Sequence, residues 1–153
     1  MKRMLVILTG LFVIFAFVHG AEGSKGLADK AVDLVNKGAA YIKAQGKDKA
    51  FDEFSNPKGK FVNGELYLFV VDFKGMTLAH GGNTNLIGKN QMELMDADGK
   101  YFIKEFIKIS STKGAGWSDY KWSNPVTKKV QNKTTYVKKI DDMDAFIGCG
   151  IYK

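Results

Sequence analysis

Three strand-like runs close this chain, at residues 116–123, 133–140 and 145–152, and only turns stand between them. The turn after the first carries Asn124-Pro125-Val126-Thr127, and Asp141-Asp142 separates the last two. Parallel neighbours need a crossover of a dozen or more residues, so strands joined this closely pair antiparallel. A second hairpin is written earlier. Glu65–Asp72 and Met76–His80 are apolar, β-rich runs linked by Asp72-Phe73-Lys74-Gly75, with glycine where positive φ is tolerated. The N-terminal part has a different period. Leu27, Ala31, Leu34, Val35, Ala39, Tyr41 and Ile42 recur at three- and four-residue steps, predicting a helix over 27–45 with Ser24 as its cap and Gly46 as its stop. Shorter helices are predicted over 48–54 and 100–111, the latter presenting Phe102, Ile103, Phe106, Ile107 and Ile109. Helices at the start and hairpin-linked strands at the end indicate an α+β domain with an antiparallel sheet.

The first twenty residues stand apart from that fold. Lys2 and Arg3 precede an apolar run from Leu5 to Val18, and Val18-His19-Gly20 gives a small-residue exit before Ala21. The run is shorter than the roughly 20 residues a membrane span needs. The expectation is a signal peptide over 1–20, a single domain over 21–153, and a periplasmic or secreted protein. The lone Cys149, between two glycines in an apolar segment, reads as a small buried residue, so packing rather than a disulfide holds the fold.

The net charge is +7 and the cations are lysines spread along the chain; Arg3 is the sole arginine. Nucleic-acid binders concentrate Arg and Lys on one face, so no nucleic-acid partner is expected. No enzyme reading finds support either. Ser-His-Asp context, paired metal ligands and a phosphate loop are all missing from the sequence, and neither a metal nor another cofactor is expected. Asp96-Ala97-Asp98-Gly99 with Glu105 resembles part of a calcium loop. The first ligand would then be Leu94, which cannot coordinate, and a turn capping the helix at Lys100 is the better reading.

Candidate binding residues lie on the strands. Along 116–123, alternation puts Tyr120 and Trp122 on one face and Trp117 on the other. Aromatic rings with polar tips suit either a ligand pocket or the core beneath a helix. Tyr136 and Lys138 share a face of the next strand and would make a carboxylate clamp of phenol and ammonium, with Lys133 an equal contender as anchor. Tyr67, Phe69 and Val71 share one face of the first strand and Leu66, Leu68 and Val70 the other, with no sign of which faces the pocket. His80 ends the second strand at the lip of a long polar connection over 81–98, as a rim donor rather than a metal ligand.

Six of these segments, in this order, resemble the single Cache sensor domains, PAS-like extracellular modules of bacterial receptors. They are residues 65–81 (ELYLFVVDFKGMTLAHG), 85–90, 96–100, 116–125, 133–137 and 148–152. The resemblance spans residues 27–152. It implies a long N-terminal helix packed on a PAS-like antiparallel sheet of five to six strands, a ligand pocket on one sheet face, and a small organic acid or similar anionic or polar metabolite as ligand. It favours the pocket reading of Tyr120 and Trp122. The form expected is a stand-alone, non-catalytic binding protein. It would work beside a membrane receptor, or instead dock such a receptor or kinase without a ligand of its own.

Overall fold

The structure, a computed structural model, describes the backbone of residues 20–153 and the side chains of residues 26–153. The expected signal peptide lies outside the described residues, Gly20 apart. Helix α1 (Gly20–Gln45) runs straight through Ser24, which therefore does not cap it. Its buried stripe is Ala31, Val35 and Ile42, flanked by half-buried Ala28, Leu34 and Tyr41. Gly46, with φ 83°, turns the chain into α2 (Lys47–Phe54), whose Ala50 and Phe54 join the same core.

The run expected to form one strand over 65–72 is divided at Leu68. Strands β1 (Val62–Asn63) and β2 (Leu66–Tyr67) make a small antiparallel ladder, and β3 (Phe69–Asp72) enters the main sheet. The predicted hairpin from β3 to β4 (Thr77–His80) is present. Gly75 takes φ 84°, and the Asp72 carboxylate accepts the amides of Lys74 and Met76. After a 3-10 turn at Thr84–Leu86 comes α3 (Phe102–Lys113), stopped by Gly114 at φ 79°. The long strands β5 (Ala115–Ser123), β6 (Val130–Lys139) and β7 (Ala145–Tyr152) complete the fold. Helix α3 starts two residues after Lys100, and no side chain caps it. The Asp96 carboxylate instead accepts the amides of Asp98, Lys100 and, across the fold, Lys121, so the loop is pinned to β5.

The five-stranded sheet has the order β4-β3-β7-β6-β5, antiparallel throughout. β7 is central, which explains why it reads as an unbroken apolar run: both faces are covered. On one face α1 and α2 pack against Leu68, Val70, Ala79, Ile147, Cys149 and Ile151. Gly38 lets α1 come close there, since a Cβ would stand 2.6 Å from Leu68 Cδ1. Cys149 is buried in this layer, as its surroundings in sequence predict. On the other face α3 lays Phe102, Ile103 and Phe106 over Phe69, Val71, Tyr120, Val137 and Phe146. The loop over 81–98 closes the side of that second layer with Leu86, Gln91 and Leu94.

Candidate ligand-binding site

The two faces are sorted by strand parity. On β5, Tyr120 and Trp122 turn toward α3, while Trp117 turns away and packs on Tyr136 at 5.4 Å. Tyr120 is paired with Lys133 across the β5–β6 ladder, and Lys133 with Tyr152 across β6–β7. These three side chains therefore share the α3 face. Tyr67 and His80 arrive on the same face from β2 and β4, their rings 5.1 Å apart. The open question over the first strand is answered: Tyr67, Phe69 and Val71 face α3, and Leu66, Leu68 and Val70 face α1.

Lys133 is the most unusual group in the molecule. It is 1% exposed, and its Nζ donates to Tyr67 Oη at 2.6 Å and to Tyr152 Oη at 3.3 Å. The ammonium also lies 4.3 and 4.6 Å from the centres of those two rings, attracted by their negative faces. None of the ion pairs among the described residues involves it. Burial without a counter-charge pulls its pKa down to about 7. Gly150 makes this arrangement possible. A Cβ there would stand 2.3 Å from both Lys133 Cε and Thr135 Oγ1, so any larger residue would drive the lysine from its slot.

The neighbours of Lys133 are held neutral. Burial raises the Tyr67 and Tyr120 phenols and carries Tyr152 up to about 12. Tyr120 Oη accepts from Thr135 Oγ1 at 3.2 Å, and Tyr152 Oη donates to the Ser123 carbonyl at 2.9 Å. Burial, reinforced by the nearby Lys133, lowers His80 to about 3. Its Nδ1 accepts the Asn83 amide at 2.9 Å, so the neutral ring carries its proton on Nε2 and keeps a donor there.

Between the sheet and α3 is a cavity of about 30 Å³. Phe69, Val71, Phe102, Ile103 and Phe106 make its apolar walls, and Tyr67, Thr77, His80, Gln91, Tyr120 and Trp122 carry polar tips. That volume holds roughly two waters. An outer groove of about 310 Å³, formed with Gly82, Asn83 and residues 123–125, shares Tyr67, His80 and Trp122 with the cavity. These three side chains are the partition between inside and outside. Lys133 stands behind the Tyr67 hydroxyl rather than on the cavity wall.

The structure thus brings together five of the seven residues singled out from sequence: Tyr67, His80, Tyr120, Trp122 and Lys133. It separates the other two. Tyr136 and Lys138 stand three and five residues beyond Lys133. Tyr136 packs on the α1 layer, and Lys138 Nζ donates to Asn36 of α1 at 2.9 Å. In a strand an odd step reverses the face. A clamp of Tyr136 and Lys138 accordingly corresponds to the helix α1 side, away from the cavity. Thr135, Gln91 and Tyr152 were not singled out. Thr135 carried a signal, since it is two residues from Lys133 on the same strand.

Residues 37–153 match the family model described as Single Cache domain 2. Over 86 residues the chain is 33% identical to the sensor histidine kinase MctS of Rhizobium johnstonii. The match takes in 56% of this chain and 18% of the kinase, so the chain spans less than a fifth of that relative's length. The fold resembles that of a methyl-accepting chemotaxis protein from Vibrio parahaemolyticus, with a TM-score of 0.73 and 23% identity over 86% of this chain and 92% of that one. It also resembles a Cache chemosensory domain solved for its recognition of carboxylic acids, with a TM-score of 0.70 and 20% identity over 87% of this chain and 97% of that one. At such identities the structural likeness speaks for the fold, which has the same long helix and antiparallel sheet. With the family match covering most of the sequence, the chain belongs to the single Cache domain 2 family.

Proposed function

We propose that this chain is an exported sensor domain that binds a small organic anion, a carboxylate, between the sheet and α3, without catalysis. One observation carries the reading: Lys133 is buried on the pocket side of the sheet, bonded to two phenols and with no carboxylate in ion-pair contact among the described residues. Burying an unpaired ammonium costs several kcal/mol, a burden that an incoming anion would relieve. Around it the walls are aromatic and the polar tips are neutral, with His80 and the tyrosines offering hydrogen-bond donors. An anion would enter by displacing Tyr67 or Trp122 toward the outer groove, leaving its apolar part against Phe102 and Phe106. The same fold in a domain solved for carboxylic acid recognition supports this choice of ligand. The partner we propose is a membrane receptor or kinase that reads the occupied state, as the similarity to part of a sensor histidine kinase suggests.

A thermal-shift screen of carboxylates, amino acids, amines and purines tests the reading. Acetate or propionate is expected to raise Tm by several degrees, since a hundredfold excess over Kd is worth about 2.7 kcal/mol. The shift should vanish in Lys133→Met. Stabilisation by amines and not by carboxylates would overturn the proposal, because a buried cation repels the former.

A further inference from the structure

Lys133 has a surrounding that admits either protonation state, and that has a consequence for how the site responds to its medium. The side chains packed against its Nζ are uncharged near neutral pH, and the charged Asp119, Lys100 and Lys153 line a surface groove that Lys133 also borders. β2 presents Tyr67, β4 His80, β5 Tyr120, and β7 Tyr152, with the Cys149 thiol on the opposite face of the same strand. Burial keeps Cys149 up at about 11 and His80 down at about 3, so neither changes charge between pH 6 and 9.5. Helix α3 contributes Phe102 and Phe106; its charged Lys104 and Glu105 are paired with Glu93 and Lys100 at the surface. The one carboxylate felt from a distance is Glu65, which accepts a hydrogen bond from the buried Asn124. A neutral amine is satisfied between the two phenols in this dry slot, and the ammonium, held there only by ring faces and hydroxyls, would gain a full counter-charge when an anion arrives.

We propose that Lys133 takes up a proton from solvent when an anion enters the pocket, so that ligand binding is coupled to pH. The amine lone pair accepts the proton, and the ammonium formed is neutralised by the ligand's carboxylate. This rests on the anion-binding reading above and adds to it a regulation: the domain would report the ligand less strongly as its surroundings turn alkaline. Burial holds the Lys133 pKa at about 7 in the free protein, and a bound carboxylate would raise it well above that.

The test is calorimetric titration of the protein with acetate and with propionate at pH 6.0 and 8.5, in phosphate and in Tris, whose ionisation enthalpies differ widely. Both acids are fully ionised at these pH values, so any proton exchanged belongs to the protein. The dependence of the heat on buffer should report about one proton taken up per ligand at pH 8.5 and close to none at pH 6.0. Kd should rise about tenfold per pH unit above pH 8. Lys138→Met, altered on the opposite face, should keep both signatures. Equal heats in the two buffers at pH 8.5, with Kd flat from pH 6 to 9.5, would overturn the coupling and leave anion binding intact. Failure of both acids to bind at any pH would remove the coupling and the anion-binding reading together.

Discussion

Lys133→Met is expected to make the protein more stable at pH 6, while abolishing its response to small anions. The ammonium is enclosed without a counter-charge, and a methionine of similar length fills the slot beside Gly150 without needing solvation. The sign follows from the two states. Unfolded, the lysine has its ordinary pKa near 10.5; folded, burial brings it to about 7. Between those values the unfolded chain binds more protons, so this residue's contribution to stability rises with pH from about 7 to 10.5. Below pH 7 the charge is kept in both states and its full burial penalty stands. The variant should therefore exceed the wild type by about 1–4 kcal/mol at pH 6, and the two should converge as pH rises toward 9.5. Urea unfolding of both proteins at pH 6, 8 and 9.5 measures the difference directly. A variant less stable than the wild type at pH 6, or a gap that does not narrow with pH, would show that the lysine is held by more than the phenols seen here.

The second large effect is expected at Phe106. This side chain is fully buried at the centre of the α3 layer, with ring contacts to Phe69 at 6.2 Å, Phe102 at 5.7 Å, Tyr120 at 5.2 Å and Phe146 at 5.9 Å. Three of these four neighbours also line or adjoin the small cavity. Truncation to alanine removes the contacts of the ring and leaves a void, a loss of about 3–5 kcal/mol. Phe106→Leu should cost less and enlarge the cavity toward α3. The expected result is a steep fall in Tm for Phe106→Ala and a milder one for Phe106→Leu. Phe106→Leu should also show larger shifts with four- and five-carbon acids than the wild type does. A neutral Phe106→Ala would mean that α3 is not held against the sheet by this layer.

How far the sequence carried differs between elements for physical reasons. α1 and α2 were legible because their apolar residues recur at helical steps, and β5 to β7 because strand-like runs are joined by turns too short for a crossover. Parity within a strand was legible too, and it already placed Tyr120 with Trp122 and against Trp117. The same rule separates Lys133 from Tyr136, which stand an odd step apart. What parity cannot give is the register between strands. Lys133 faces Tyr152 and Tyr120 because of pairings along ladders whose offsets no single strand encodes. The space for the lysine depends on Gly150, and its meaning as a gap appears only when β6 lies beside it. The break at Leu68 and the late start of α3 were hidden for a related reason. A short apolar run does not say which partner it will pair with, and Asp96 spends its carboxylate on Lys121, 25 residues away, instead of on the helix. Local chemistry therefore gave the elements and the pocket's residue types, while tertiary pairing chose which of those residues meet.

The most direct test of the site is a crystal structure of the protein grown with saturating acetate or propionate. The expected result is a carboxylate within hydrogen-bond distance of Lys133 Nζ, with Tyr67 or Tyr120 donating to its second oxygen and Tyr67 or Trp122 moved toward the outer groove. An acid bound only at the surface lysines, or a complex in which Lys133 remains capped by Tyr67 and Tyr152 with the cavity unchanged, would contradict it.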